Sequence, residues 1–473
     1  MSDTETNKEI PSKILTFYGG LWGAILPFFL FVSGVIYIAL SGAPDERGFW
    51  PVLILALAIS LLLSKDKTHF SETVIKGMSQ EIVMIMIMAW ILASIIGVLM
   101  TATGFVEALT WLAAQLQVGK VGIVLSAFVI CCLVSLSTGS SFATILICSP
   151  LLYPAGGLLG AHLPTLAGAI LGGATFGDFI APISDTTIAS ALSQKVEIGP
   201  TVRSRLKYIV PVAILAFIAY WVSATFSDPE VVATSQSLTG SPKGLPMLLI
   251  PIFIIYLFLR GKHLVHGLLY GLIAGVVIGL LFGLLPMERL LSLDVENMVA
   301  KSFIIDGINR AVGLSFFTIL LMGLVATLKS SGLMQRLVAF AERHSQRPSH
   351  AESWIAGTVG MAVLLTTHSI VAILMVAEFA NTTGKKMGIA PQRRANILSL
   401  VVCVFPFLLP YFIPVILMAN TTTSGSELGV ASVSPLATGM HNFVAWGLLG
   451  MVFLTLVFGV GRTRNPQPAT RNP

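Results

Sequence analysis

Long apolar stretches alternate with short polar ones along almost the whole chain. Single runs of ~20 apolar residues, such as GLWGAILPFFLFVSGVIYIAL and GLLYGLIAGVVIGLLFGLL, are long enough to cross the hydrocarbon core of a bilayer as one helix. This pattern predicts an all-α polytopic membrane protein. The ten predicted full spans lie near residues 18–41, 48–64, 82–102, 163–192, 208–226, 245–260, 265–286, 311–328, 394–418 and 438–461.

Two further apolar stretches, 121–154 and 352–384, are interrupted at mid-length by small polar residues. The interruptions read SLSTGSS and LLTTHS. Backbone that leaves a helix inside a membrane must be covered by protein or line a water-filled cavity. We therefore expect each stretch to be a re-entrant hairpin, which enters and leaves the membrane on the same side.

Composition agrees with a membrane protein and argues against a nucleic-acid partner. Of the 473 residues, 55% are hydrophobic and 11% are charged, and the mean hydropathy is +0.88. The net charge of +6 comes from Lys and Arg residues that cluster in alternate loops, as the positive-inside rule describes. With ten spans, this loop pattern predicts a bacterial cytoplasmic (inner) membrane protein with both termini in the cytoplasm. The polar start MSDTETNKEIPSK lacks the features of a cleaved signal, so we expect the first span to be retained.

An internal repeat aligns the two halves of the chain at an offset of 228 residues. STGSSFATIL (137–146) aligns with LTTHSIVAIL (365–374), and Gly104 aligns with Gly332. Each half holds five predicted spans, an odd number, so the second half is expected to be inverted in the membrane. Inverted repeats with broken helices are typical of secondary transporters. The predicted organisation is a cytoplasmic segment 1–17, a first inverted repeat 18–230, a linker 231–244, a second inverted repeat 245–461 and a cytoplasmic tail 462–473.

The stretch GGATFGDFIAPISDTT (172–187) contains two acids, Asp178 and Asp185, inside a predicted span. Pro182 cannot donate a helical hydrogen bond, so the helix should break there and free carbonyl groups near residue 178. Carboxylates, hydroxyls and carbonyls are the hard oxygen ligands that bind small hard cations. A carboxylate that holds either a proton or a cation is the minimal chemistry of cation–proton exchange. The candidate site residues here are Asp178, Asp185, Ser184, Thr186 and Thr187. A plainer interpretation, stronger for Asp185, is that the acids only cap or bridge helices.

The tips of the two predicted hairpins form the second candidate constellation. Two tips that enter from opposite sides would meet near the midplane and face broken helices at Pro182 and at FPFLLPYFIP, which contains Pro406 and Pro410. His368 takes the place of Ser140 in the repeat, and it suits either proton coupling or a structural hydrogen bond. The plainer interpretation is that the hydroxyl groups only bond to backbone. The candidate tip residues are Thr138, Gly139, Ser140, Ser141, Thr366, Thr367, His368 and Ser369.

STGSS, ASIIGVLMTATG and GGATFGDFIAPISDTT together resemble the NhaC-type Na+/H+ antiporter family of the wider ion transporter superfamily. The family pattern is close to G-D-x-x-S-P-[IL]-S-D-T-T, and this chain departs from it at Ala181, where Ser is usual. The resemblance implies that Asp178, Ser184, Asp185 and Thr186 help line the ion or substrate site. It also implies acids in the second hairpin and the following broken helix, but this chain has none in the tip LTTHSIV or in the span 394–418, where Asn396 is the only amide. Other relatives exchange organic acids or amino acids.

These features predict a secondary active transporter that exchanges Na+ and H+ by alternating access. The alternative is Na+- or H+-coupled transport of a small organic acid or amino acid. A channel and a membrane-embedded enzyme fit less well, because inverted repeats suit a moving carrier and no HExxH or GxSxG motif is present. We expect no enzyme activity, no cofactor beyond transported Na+ or H+, and no structural metal, with transported Na+ binding at Asp178. The expected partners are the lipid bilayer, a small cation, a small organic solute and, in a dimer, a second copy of the chain.

Overall fold

The chain folds almost entirely into helices. The computed structural model describes residues 14–40, 46–115, 117–182, 184–227, 241–260, 262–294 and 298–462. The α-helices in these ranges are α1 (Leu21–Leu40), α2 (Phe49–Leu63), α3 (Lys67–Met78), α4 (Glu81–Ala102), α5 (Phe105–Gln115), α6 (Lys120–Thr138), α7 (Ser141–Leu158), α8 (Leu163–Ile180), α9 (Asp185–Ser193), α10 (Ile198–Phe226), α11 (Leu249–Leu259), α12 (Leu264–Leu281), α13 (Met287–Leu290), α14 (Phe303–Ser330), α15 (Leu333–His344), α16 (Pro348–Thr366), α17 (Ser369–Lys386), α18 (Pro391–Val402), α19 (Ile413–Thr421), α20 (Pro435–Met440) and α21 (Phe443–Val457).

Short elements of other kinds complete the described chain. The strands β1 (Ser292–Asp294) and β2 (Val299–Lys301) form an antiparallel ribbon in which Leu293 pairs with Ala300. This ribbon is a small departure from the predicted all-α class and lies in the loop that precedes α14. The 3₁₀ helices are Glu46–Gly48, Pro242–Leu248, Phe405–Phe407 and Thr422–Leu428.

Seven helical stretches among the described residues are long and apolar enough to cross a membrane. They are Leu21–Ile38, Val83–Ala102, Ser141–Leu158, Leu163–Ser193, Ile198–Phe226, Leu264–Leu281 and Phe303–Ser330. Four shorter apolar helices accompany them, at Phe49–Leu63, Lys120–Leu136, Pro242–Ile254 and Phe443–Val457. The predicted helical, multi-pass membrane protein is therefore confirmed at this level. Ser141–Leu158 is the second arm of the first predicted hairpin. By length and composition alone, this helix is long and apolar enough to cross a membrane by itself.

Several predicted spans differ from the helices that form. The predicted span 394–418 is divided between α18 and α19, because prolines interrupt it at Pro406 and Pro410. The predicted span 208–226 forms part of a longer helix, α10, which begins at Ile198 within a stretch predicted as a basic loop. The helices α3, α5 and α15 lie in regions predicted as loops.

Parts of all five predicted segments lie outside the described residues. These parts are residues 1–13 of the N-terminal segment, 41–45, 116, 183 and 228–230 of the first repeat, 231–240 of the linker, 261 and 295–297 of the second repeat, and 463–473 of the tail.

Close packing of α6 against α8 positions the region around Asp178. A Cβ atom added at Gly173 would lie 2.4 Å from the Cβ of Cys131, so only glycine allows the two helices to approach this closely. The Ser135 hydroxyl on α6 donates a 2.8 Å hydrogen bond to the Ala174 carbonyl of α8. The end of α6 is thereby held beside the end of α8.

Helix starts recur at the spacing of the sequence repeat. Five consecutive helices of the first half, α5 to α9, each begin 228 residues before a helix of the second half, α15 to α19. The paired first residues are Phe105 and Leu333, Lys120 and Pro348, Ser141 and Ser369, Leu163 and Pro391, and Asp185 and Ile413.

Candidate functional site

The chain breaks beside Pro182, between α8 and α9. The last four carbonyls of a helix have no partner inside it. The Asp178 carbonyl therefore accepts hydrogen bonds from two side chains, the Ser184 hydroxyl at 2.9 Å and the Thr186 hydroxyl at 2.7 Å. These bonds fold the start of α9 back against the end of α8.

The Asp178 carboxylate lies within the same hydroxyl cluster. The Ser184 hydroxyl is 3.0 Å from Asp178 Oδ1 and 3.0 Å from the Thr186 hydroxyl. Ser141, the first residue of α7, places a further hydroxyl beside the carboxylate. The side chain of Asp178 is half-buried, whereas Ser184 and Thr186 are buried. A carboxylate and several hydroxyls thus converge at the break.

The first tip connects α6 to α7 through a sharp reversal. Gly139 adopts the left-handed conformation with φ of +66°, which glycine tolerates without strain. Ser140 caps α7, because its hydroxyl accepts a 3.2 Å hydrogen bond from the Ala143 amide. The Thr144 hydroxyl bonds the Ser140 carbonyl at 2.9 Å.

The second tip connects α16 to α17 with nearly the same backbone. Thr367 has φ of +52° at the position of Gly139, and His368 has φ of −138° at the position of Ser140, whose φ is −136°. The His368 side chain makes no capping hydrogen bond, and its buried Nδ1 atom has no hydrogen-bond partner. The Ser369 hydroxyl bonds the Val402 carbonyl at the end of α18 at 3.1 Å. The amides that begin α17 therefore lack the side-chain cap found at α7.

A cavity of about 70 Å³ lies between the two tips and the two breaks. Ten of the predicted site residues line it, namely Gly139, Ser140, Ser141, Asp178, Asp185, Thr186, Thr367, His368, Ser369 and Pro406. Hydrophobic walls that the sequence did not single out are contributed by Met86, Phe142, Ile370, Phe407, Ile413 and Pro414.

The other predicted site residues lie away from the cavity lining. Thr138 and Thr366 donate long hydrogen bonds within their own tips, to the Ser140 carbonyl at 3.4 Å and the His368 carbonyl at 3.3 Å. Thr187 and Asn396 instead accept hydrogen bonds from the buried Arg205. The remaining members are Ser184, which supports Asp178, and Pro182 and Pro410, which lie at the two breaks.

Sequence reasoning missed Arg205, the buried arginine that joins the two broken helices. Its guanidinium bonds the Phe179 carbonyl and the Thr187 hydroxyl, each at 2.8 Å, and the Ser190 hydroxyl at 2.7 Å. It also bonds Asn396 Oδ1 of α18 at 3.2 Å. Arg205 falls in a basic stretch that predicts a cytoplasmic loop, so the only sequence signal was its position one turn before a long apolar run.

A second buried ion cluster ties the start of α16 to the end of the described chain. The Glu352 carboxylate pairs with Arg393 at 3.1 Å and with Arg462 at 2.7 Å, and Glu352 and Arg393 are both buried. Hydrogen bonding to this carboxylate raises the pKa of Arg462. Because none of these residues lines the cavity, the cluster serves to fasten helix ends.

The described residues contain no group of three or more His, Cys, Asp or Glu side chains arranged to hold a metal ion. The oxygen-rich surroundings of Asp178 instead come from one carboxylate, hydroxyls and freed backbone. Oxygen ligands of these kinds are the ones that hard cations take.

Residues 27–225 match the Na+/H+ antiporter family. The match contains the first tip, Asp178, Asp185 and Arg205. The resemblance predicted from the sequence motif is therefore confirmed over the first half of the chain. The family is one of transporters, which agrees with the multi-pass helical fold.

One curated relative of this chain is a malate-2H(+)/Na(+)-lactate antiporter from Bacillus subtilis (strain 168). The two chains are 26% identical over 210 residues, which is 44% of this chain and 42% of the relative. The alignment thus spans less than half the length of that relative. A solved structure of Neisseria gonorrhoeae MtrF, described with a class of antimetabolite efflux pumps, aligns over 94% of this chain and 97% of its own. Its identity of 15% and TM-score of 0.39 are too low to support an inference.

Proposed function

We propose that this protein is a secondary active transporter that exchanges Na+ for H+ across a membrane by alternating access. One observation carries the proposal: the Asp178 carboxylate lies at a helix break and lines a small cavity shared by both tips. Acids inside membrane-spanning segments are costly, and they commonly mark ion pathways and proton relays. The match of residues 27–225 to the Na+/H+ antiporter family supports the same assignment.

The chemistry of the site suits competition between a proton and a cation. Asp178 offers carboxylate oxygens, and Ser184, Thr186 and Ser141 offer hydroxyl oxygens beside it. A volume of about 70 Å³ is enough for a desolvated cation with a few waters. A proton on the carboxylate removes the charge that the cation needs, so one ligand displaces the other.

The proposed architecture is a pair of inverted repeats, 18–230 and 245–461, each with a re-entrant hairpin and a broken helix. The five helix starts that recur at 228 residues support the repeat, and the matched backbone of the two tips supports it further. An odd number of spans in each half gives the halves opposite orientation. Loop charges favour cytoplasmic termini in a bacterial cytoplasmic membrane. In this proposal the protein uses no cofactor other than the transported Na+ and H+.

A second candidate function is coupled transport of a small organic acid, and the second tip favours it. This tip carries no acid, and His368 lies directly before the uncapped start of α17 with its Nδ1 atom unpaired. Lys329, in the last turn of α14, is close enough to His368 to interact with it electrostatically. Amides at a helix start and basic side chains both attract a carboxylate. The relative from Bacillus subtilis is named for malate and lactate.

Proteoliposomes with a trapped pH dye distinguish the two functions. Pulses of Na+, Li+ and K+ are applied with and without a panel of small carboxylates and amino acids. Proton movement on Na+ or Li+ alone supports cation–proton exchange. A response that requires an organic solute supports the second candidate, and no response to any combination contradicts both.

A further inference from the structure

A second cavity of about 30 Å³ lies beside the end of α19, away from the two tips. This volume is enough for about two waters. Ser424 lines the cavity and is only 5% exposed, and its hydroxyl has no hydrogen-bond partner among the described residues. A buried hydroxyl without a protein partner points to water or a ligand in the space beside it. Further polar groups of the lining come from Ser94, Asn420, Thr421 and Thr423.

Three helices each present one continuous face to both cavities. On each helix, a residue that lines the cavity at Asp178 is followed four positions later by a residue that lines the second cavity. The pairs are Met86 and Trp90 on α4, Phe142 and Leu146 on α7, and Ile413 and Leu417 on α19. Residues four positions apart share a helix face and lie about 6 Å apart along the axis. The same three faces therefore lead from Asp178 to the second cavity.

Large apolar side chains separate the two cavities. Trp90, Leu146 and Leu417 line the end of the second cavity that is nearer Asp178, and they are 2%, 5% and 1% exposed. We call these three residues the apolar gate. Hydrophobic constrictions stop ions by excluding water, so a closed gate of this kind blocks passage between the cavities.

The other end of the second cavity reaches an aqueous edge. Arg310 of α14 lines the cavity and forms a salt bridge with Glu427, whose side chain is 51% exposed. Such charges avoid lipid, so the pair lies at the membrane surface.

Loop charges indicate which surface this is. Acids outnumber Lys and Arg in segments 282–302 and 422–434, which adjoin this end of the cavity. Lys and Arg outnumber acids in segments 64–80 and 331–347, at the opposite ends of α4 and α14. The positive-inside rule then favours the outer surface for the second cavity.

We infer that the second cavity is the outer vestibule of the transport route, which takes a small, partly hydrated cation and passes it through the apolar gate to Asp178. This inference rests on the proposed exchange at Asp178. The hydroxyl and amide oxygens of the vestibule replace part of the water around the cation. The gate keeps the vestibule and the site apart until the helices move.

Labelling from outside tests the vestibule. Intact bacterial cells that express Ser424→Cys are treated with a membrane-impermeant methanethiosulfonate reagent, and the wild-type protein gives the background from its four native cysteines. Ser315→Cys is the matched control, because Ser315 is 8% exposed and follows the lining residue Leu314 but does not line the cavity itself. We expect Ser424→Cys to be labelled at least about tenfold faster than Ser315→Cys. If Ser424→Cys does not reach the membrane, Thr423→Cys in the same lining takes its place.

The gate is tested at Ser140, which lines the cavity at Asp178. Ser140→Cys is labelled from outside alone and in combination with Leu146→Ala or Leu146→Met. Alanine widens the gate, whereas methionine keeps its volume. We expect Leu146→Ala to speed labelling about tenfold and Leu146→Met to change it less than about twofold. Thermal unfolding reports whether each variant is folded, and Leu417→Ala replaces Leu146→Ala if that variant is not.

The labelling results can overturn the inference independently of transport. Labelling of Ser424→Cys no faster than that of Ser315→Cys would show that the cavity is sealed from the outside. Unchanged labelling of Ser140→Cys in a folded, widened variant would remove the gate and the route with it. If the labelling results are as expected but proteoliposomes show no Na+ response, the proposed exchange is wrong and the route stands.

Discussion

The two halves of this protein share a backbone frame but differ in charge at the site. Gly139 and Thr367 turn the two tips in the same left-handed conformation, and α9 and α19 begin 228 residues apart. At the first break lie Asp178 and Asp185, while the equivalent positions in the second half are Pro406 and Ile413. The frame is thus duplicated, whereas the acidic chemistry is present only once.

The difference extends to the basic residues around the cavity. Arg205 bonds the Phe179 carbonyl at the first break, whereas the neutral amide of Asn442 bonds the Phe407 carbonyl at the second. His368 replaces Ser140 at the second tip, and Lys329 replaces Thr101 at the end of the helix nearby. The cavity is consequently lined by Asp178 and Asp185 from the first half and by His368 from the second. The spacing of the helix starts is thus common to both halves, while only the first half contributes acids to the cavity.

The largest expected effect comes from removing the Asp178 carboxylate, which has no counterpart in the second half. Asp178→Asn should lower Na+/H+ exchange at least about a hundredfold, because an amide cannot carry the charge or exchange the proton. Initial rates in proteoliposomes check this. Asp306→Asn, at an exposed acid in the first turn of α14, is the matched control and should transport normally. Normal exchange in folded Asp178→Asn would remove the proposed site.

A smaller loss is expected at Asp185, which lies exposed at the start of α9. Asp185→Asn should raise the KM for Na+ about tenfold, because one of two negative charges at the cavity is lost. Exchange should still be measurable at high Na+. If Asp185→Asn loses exchange as completely as Asp178→Asn, exchange instead requires both carboxylates together.

The contrast between the tips can be tested by making the second resemble the first. His368→Ser should lower any carboxylate-dependent proton signal about tenfold, because it removes the unpaired imidazole and supplies a cap for α17. The signal driven by Na+ alone should not change. Ser140→Ala, which loses the cap at α7, is the control for a damaged tip. If His368→Ser lowers the carboxylate-dependent signal and the Na+-driven signal equally, the second tip is not a separate binding site for the organic solute.

The smallest effects concern the left-handed residue of each tip. Gly139→Ala should lower the free energy of unfolding by about 1 kcal/mol, since a side chain is unfavourable at this φ. Thr367→Gly should raise it by a similar amount, about 1 kcal/mol, because a β-branched residue is strained there. Thermal unfolding of both variants provides the comparison. Changes of the same sign would mean that the tips are not equivalent.

The membrane spans were predictable because burial in lipid demands long apolar helices, as in α4 and α12. The helices α3 and α15 were not, since they are too polar for a hydropathy pattern to detect. Prolines indicated both breaks correctly, because Pro182 and Pro406 remove backbone donors whatever the tertiary context.

The site was partly predictable for a related reason. Acids and small hydroxyl residues are rare within apolar stretches, so the sequence could single out Asp178 and both tips as candidate site residues. Arg205 was hidden because a basic residue beside an apolar run indicates a loop by the positive-inside rule. Its burial depends on Asn396, Thr187 and Phe179, which come together only in the folded protein.

The central claim, that a proton and a cation share Asp178, can be tested without transport. Purified protein in weakly buffered detergent solution is titrated with Na+ while the pH is recorded. The account predicts that Na+ binding releases protons from the wild-type protein and releases none from Asp178→Asn. Proton release of the same size from Asp178→Asn, or Na+ binding to the wild type without any proton release, would contradict it.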